Sequence, residues 1–460
     1  MVAIVTDALK ADISRKIFDE VVSSADSVEF YIGIGKTDIY DSSDTTATPL
    51  RNTFDDRITR GNLESIKKVA ATSFVVSRNT WSSGTIYDSW NDKQVGYGSN
   101  AYYVLTEDNE VYICLQQSKD ATTGAANPST VKPSFTDAGV NQVQAFQTSD
   151  GYRWKLLYSV SAGNATNFLT AGFIPVERIL IDSSSASAFQ LQQLNIQNTP
   201  TPGQIIGVEV VDGGNGYTSA PTLTFRGNGS GALATATVAG GQIVKVEMDN
   251  ESAGLGSGFD FASVAQSGGG SSNATLRPII GPREGFGKDP RNDLKSSSIM
   301  LNTKPTGAES GAFNITNDFR QISLLKELKL TDSALPGGTF GGTSTQVNRR
   351  LTLTANITTT GFTADEIITG GTSGATAFID EVDSGNGKFI FFHQNEKTKN
   401  GTFTDGEALT GSGGGSGTVD SGNLFSPIDI YSGDLLYIEN RARIVRSASQ
   451  TEDIKIIITV

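Results

Sequence analysis

The chain repeats itself twice, and no copy is long enough to fold alone. GQIIGVEV at residues 203–210 returns as GQIVKVEM at 241–248, and FTADEIITGGTSGA from Phe362 returns as FTDGEALTGSGGGS from Phe403. Units this short cannot each bury a core, so the two copies of each pair are expected to close on each other as small duplicated β modules. The pattern of the first two hundred or so residues resumes between and after them. The plainest map is therefore one discontinuous core, 1–202, 281–350 and 425–460, with Gly/Thr-rich modules inserted at 203–280 and 351–424. The points of entry and exit, near Gly203 and Gly281 and near Arg350 and Phe425, should then lie close together in pairs.

Composition agrees with a mainly β chain. Of 460 residues 51 are glycine and only 13 proline, which suits many tight turns between strands rather than disorder. The length allows about three domains. With 36 basic and 49 acidic residues the formal charge is −13, which repels phosphate backbones and anionic lipid, so no nucleic-acid partner is expected. The single cysteine, Cys114 in the apolar run VYICL, excludes an intrachain disulfide and reads as a buried thiol. No apolar run approaches the length of a membrane span, so a soluble protein without membrane insertion is expected. The first 22 residues lack the pattern of a signal peptide. Instead Leu9, Ile13, Ile17, Phe18, Val21 and Val22 recur at helical spacing behind Thr6 or Asp7 as a cap, and this apolar face is expected to pack on the protein's own core.

Further elements follow from periodicity. Residues 28–40 read as a strand ending in a glycine turn, and a helix is expected near 63–70. Residues 101–115 read as a hairpin about the polar turn 107–110. After the Asp150-Gly151 turn, Tyr152, Trp154, Leu156, Tyr158 and Val160 line one face of a strand. At the C-terminus Ile454, Ile456, Ile458 and Val460 share one face and Asp453, Lys455, Ile457 and Thr459 the other, so the last residues are expected inside a sheet. The preceding Arg441, Arg443 and Arg446 are too polar to be buried without partners.

Motifs for chemistry fail on inspection. GIGKT at 33–37 would need a glycine where Phe30 stands to be a phosphate loop. GGNGYT at 213–218 has Thr218 where a calcium-binding repeat needs an acid. The only histidine, His393, is expected in a turn or in solvent, and one histidine with one cysteine cannot build a zinc site of the usual kind. The acidic pairs Asp55–Asp56 and Glu107–Asp108 read as surface turns, and Tyr152, Trp154 and Tyr158 as core before any sugar platform. The chain is accordingly expected not to be an enzyme. No catalytic, cofactor-binding or metal residue is assigned, and no cofactor is implied.

Four blocks point to a family: AIVTDALKADI leading to FYIGIGKTD, DGYRWKLLYSV, NDFRQISLL, and the tail GDLLYIENRARIVRSASQTEDIKIIITV. In this order they resemble the baseplate wedge protein eight family of contractile-tailed, large myovirus-type bacteriophages. The match spans most of 1–200, 281–350 and 425–460 and omits both repeat modules; Ile39 and Tyr40 stand where relatives place Pro and Trp. The resemblance implies a layered β-sandwich core with helix-bearing loops, a homodimer, and a structural place in the tail baseplate beside other wedge proteins. It locates the protein in the virion, and in the host cytoplasm during assembly. Host-surface contact is expected only through the inserts. The alternative class is a glycan- or receptor-binding β-rich adhesin of a tail or surface.

Overall fold

The computed structural model describes residues 4–22, 29–35, 48–50, 52–94, 100–135, 144–249, 254–307, 309, 312–313, 318–331, 340–382, 388–395, 397–420, 426–447 and 449–460. The fold is mainly β. Val28, the stretch 36–40 with Ile39 and Tyr40, and Phe425 lie outside the described residues. The chain divides into two compact units, one of Met1–Lys16, Ser73–Met300 and Ile457–Val460, the other of Ile17–Thr72 and Leu301–Ile456. Each unit holds one repeat module.

In the first unit the expected hairpin forms. Tyr103–Leu105 and Glu110–Gln116 pair with Leu105 opposite Val111, and Asn109 takes the left-handed conformation that closes the turn. Arg153–Ser159 joins them in a four-stranded sheet. Its aromatic face is buried, as alternation requires, with Tyr152 and Trp154 stacked at 5.7 Å. The opposite face is buried too, which alternation did not foretell. The polar side chains there are held by specific partners: Arg153 Nη2 donates to the Met248 carbonyl at 3.1 Å. The helix Ala188–Asn198, opened by a Ser187–Gln190 capping box, sends Gln193 Nε2 to the Leu157 carbonyl at 2.8 Å.

The first module contributes two separate ladders. Ile205–Asp212 pairs with Thr275–Ile280, while Gln242–Met248 is the edge of a four-stranded sheet beside Ala234–Ala239. The repeated residues Ile205 and Ile243, and Val208 and Val246, meet in one core with Tyr217 and Phe259. The ends of the module are tied, Gly281 N–H donating to the Gln204 carbonyl at 2.8 Å.

In the second unit a five-stranded sheet runs in the order Ser344–Gln346, Leu63–Lys68, Phe30–Gly35, Phe319–Lys326, Asp434–Ile444. Gly33 must be glycine, because a Cβ there would stand 2.6 Å from Ser323 Oγ and 2.7 Å from Leu63 Cδ2. The helix expected near 63–70 is instead the strand Leu63–Lys68, paired on both sides, and the helix lies earlier, at Thr53–Gly61. Its signals are local: Asn52 caps the Phe54 and Asp55 N–H groups, and Arg60 closes on Asp56.

The second module is a six-stranded sheet in which the two repeat copies pair directly. Ile367–Gly370 lies against Ala408–Gly411 with Thr369 opposite Thr410, the same position of each copy. Each copy also closes a turn of the other. Glu366 accepts from the Gly413 N–H at 3.0 Å, and Glu407 accepts from the Thr372 and Ser373 N–H groups at 2.9 and 2.8 Å.

Two expected faces behave differently from their sequence reading. The helix Asp7–Val22 forms, yet Ser14 is its one fully buried residue, Leu9 and Val22 are exposed, and Ile13, Ile17, Phe18 and Val21 are half-buried. The C-terminal strand Ile454–Thr459 lies at the edge of a four-stranded sheet. Ile454 and Ile456 are buried, whereas Ile458 and Val460 are half-buried, so two of the four side chains on the inward face reach the core.

Candidate interaction surface

Asp434–Ile444 has eleven residues and lies at the outside of its sheet, bonded to Phe319–Lys326 on one side. Among the described residues no strand pairs with its outer edge. A strand of this length with open N–H and C=O groups is a template for another strand, and most edges are shortened or charged to prevent that. This one keeps large apolar groups in water: Leu436 is 49% exposed, Tyr437 37%, and Val445, just past its end, 61%. Tyr431 adds a further exposed ring at 56%.

The charges on this edge are ordered. Arg441 Nε lies 3.4 Å from Glu439 Oε1, Arg443 Nε lies 2.8 Å from Asp318 Oδ2, and the Tyr437 hydroxyl donates to Glu439 at 2.8 Å. Burial and the neighbouring Glu439 raise the Tyr437 hydroxyl to about 12, so it stays a donor. Beyond the strand, Arg446 is fully buried and satisfied. It holds Glu452 with two bonds of 2.8 and 3.1 Å, donates to the Gly307 carbonyl at 2.8 Å, and covers the Phe313 ring. The arginine stretch thus splits between surface and interior, each member with a carboxylate.

The other motifs weighed in the sequence fall elsewhere. Gly33 and Gly35 are buried residues of the strand Phe30–Gly35, Gly35 its last; Lys36 and Thr37 lie outside the described residues. The 213–218 segment is a turn in which Gly214 and Gly216 have positive φ. Asp55 and Asp56 start a helix, and Glu107 and Asp108 share Lys132 at 2.8 and 2.9 Å in the hairpin turn. Tyr152, Trp154 and Tyr158 are core, and Cys114 is a buried thiol pushed up by desolvation.

His393 corrects its sequence reading. It is buried on the strand Phe389–His393, with Nδ1 2.7 Å from Asp380 Oδ1, Asn348 Nδ2 donating to Asp380 Oδ2 at 2.6 Å, and Phe378 stacked on the ring. The run KFIFFH did not carry this signal: Ile390 and Phe392 fall on one face of the strand and His393 on the other with the half-buried Phe389 and Phe391, so its burial comes from Asp380 and Phe378 on the neighbouring strand. Among the described residues no cluster of three or more His, Cys, Asp or Glu could hold a metal ion, and no helix is long and apolar enough to cross a membrane. The chain matches no family model and no curated protein.

Proposed function

We propose that the chain is a non-enzymatic structural subunit of a phage tail baseplate wedge, working through a homodimer and through contacts with other wedge proteins. The four sequence blocks support the class. The observation that carries the dimer is the self-complementarity of the open edge 434–444.

Two copies paired antiparallel about Asn440 set residues symmetric about that position opposite each other. Glu439 then faces Arg441 of its mate, Tyr437 faces Arg443, and Leu436 faces Ile444, so the Glu439 and Arg441 charges meet their opposites and Leu436 an apolar neighbour. An arginine over a tyrosine ring adds cation–π attraction. Such an isologous contact extends the five-stranded sheet across the pair by strand addition. The whole contact would need to bury on the order of 1,200–2,000 Å² to be stable. On this reading the protein resides in the virion baseplate after assembly in the host cytoplasm.

A charge-swap cycle tests the register. Glu439→Arg alone sets like charges against each other and should give monomers, and Arg441→Glu alone should do the same. The double swap restores complementarity and should restore the dimer. Three dimeric variants would place the contact elsewhere, and a monomeric parent would remove the dimer altogether. Co-sedimentation of the parent with purified wedge proteins tests the assembly role; failure to associate with any of them would contradict it.

A further inference from the structure

We infer that a cleft in the first unit binds a carboxylated sugar. This site is independent of the edge strand and of the baseplate reading. It arises from the first repeat. The two repeat strands Ile205–Asp212 and Gln242–Met248 are joined at one end, where Ile243 N–H donates to the Gly213 carbonyl at 2.9 Å. They belong to different ladders, and a cleft of about 440 Å³ is lined by Gly207–Glu209 of one and Lys245–Glu247 of the other. The hairpin strand Glu110–Gln116 and the segment 88–94 supply the remaining walls. The volume lies in the range of small-molecule sites, about 300–1,000 Å³.

The polar groups of this cleft are out of balance. Gln116 is only 7% exposed; its Oε1 accepts from the Met248 N–H at 3.4 Å, while its Nε2 is buried and has no partner among the described residues. Gln94 Nε2 is likewise buried without a partner among the described residues. Both side chains line the cleft, as does Lys119, whose ammonium has no ion pair among the described residues. A buried donor without an acceptor is a standing free-energy cost, which an oxygen placed beside it relieves. Two buried amide donors without acceptors, beside a half-buried ammonium without an ion pair, therefore select an acceptor-rich, anionic group.

The acids of the cleft set the rest of the ligand. Glu209 is held ionised by Arg277 at 2.6 Å, Glu247 is paired with Lys245 at 3.0 Å, and Asp88 accepts from Asn100 at 3.1 Å. These carboxylates would repel a multiply charged phosphate, and they retain lone pairs for hydroxyl donors. One carboxylate among several hydroxyls meets both conditions, and that is a uronic acid. Among the described residues no aromatic ring lines the cleft, so recognition there would run through hydrogen bonds and charge rather than stacking.

Glucuronate titrated into the full-length protein at neutral pH, followed by saturation-transfer NMR and calorimetry, tests this. Saturable binding is expected, weakened about tenfold or more for glucose, which lacks the carboxylate, and for acetate, which lacks the hydroxyls. Lys119→Ala and Gln94→Leu should each weaken glucuronate about five- to tenfold without changing the melting temperature. Gln116→Leu should abolish binding, with its fold checked by circular dichroism. A uronate oligomer separates the sources of the sugar: tighter binding than the monomer indicates a polysaccharide chain, and equal binding a free sugar. Absence of saturable glucuronate binding, equal affinity for glucose or acetate, or unchanged binding by both Lys119→Ala and Gln94→Leu would overturn the assignment.

Discussion

Glu366 and Glu407 show how a duplicated sequence becomes one structure. Glu407 takes the N–H groups of Thr372, Ser373 and Thr404 and the Ser373 hydroxyl, all within 2.9 Å. Glu366 takes the N–H and hydroxyl of Thr363 at 2.8 and 2.6 Å besides Gly413. Burial alone would raise the Glu407 carboxyl, but these donors outweigh it and hold it below its ordinary 4.5. Its stabilisation is therefore complete above that value and is lost as pH falls through the lowered folded value. Glu407→Ala, which strands several donors, should cost about 2–4 kcal/mol by urea denaturation at pH 7, and the loss should shrink toward acid pH. Asp293 runs the other way. Burial lifts its carboxyl from 3.8 to about 8, against the Gly287 N–H that donates to it at 2.7 Å. The folded protein keeps a proton that the unfolded chain releases near 3.8, so this residue's contribution is largest in acid and declines as pH rises toward 8. Asp293→Asn cannot ionise; its stability relative to the parent should rise by about 2–4 kcal/mol between pH 4 and 8, and a pH-independent difference would contradict the assignment.

At the scale of elements, the hairpin at 103–116 was legible because alternation and a polar turn agree, and both are local. The strand Leu63–Lys68 was not. LESIKK is rich in good helix formers, and its strand state comes from two distant partners, Phe30–Gly35 and Ser344–Gln346. The helix Asp7–Val22 was legible as a helix, but a hydrophobic spacing does not say whether anything covers it. The buried His393 and the open cleft depend on which strands become neighbours, information held in the tertiary fold. For the C-terminal strand the structure revises the scale of the effect. Removing residues 453–460 deletes two fully buried isoleucines, worth about 1.5–3 kcal/mol each. It also removes the Asp453 carboxylate that accepts from Asn302 at 2.5 Å. The truncated protein should melt well below the parent and lose dispersion in its amide NMR spectrum, and unchanged melting would show the strand to be accessory.

At the scale of the whole molecule, the repeat modules are bound to what carries them. Arg153 and Gln116 of the first unit both bond to Met248, and Asn62 of the second accepts from Asn395 at 3.1 Å. Replacing 204–280 by a short Gly-Ser linker leaves Arg153 and Gln116 without those partners, so the first unit should lose about 2–4 kcal/mol while remaining folded, as read by circular dichroism and urea denaturation. The linker itself adds little, because loop closure changes by only about 0.6 kcal/mol per doubling of length. A fully unfolded deletion would mean that the module is part of the central core. The proposed function rests on two copies joining through an open, self-complementary edge. The light-scattering mass of the full-length protein at micromolar concentration tests that joining most directly. Twice the chain mass of 48.5 kDa is expected, whereas a single species at 48.5 kDa across that range would contradict the dimer.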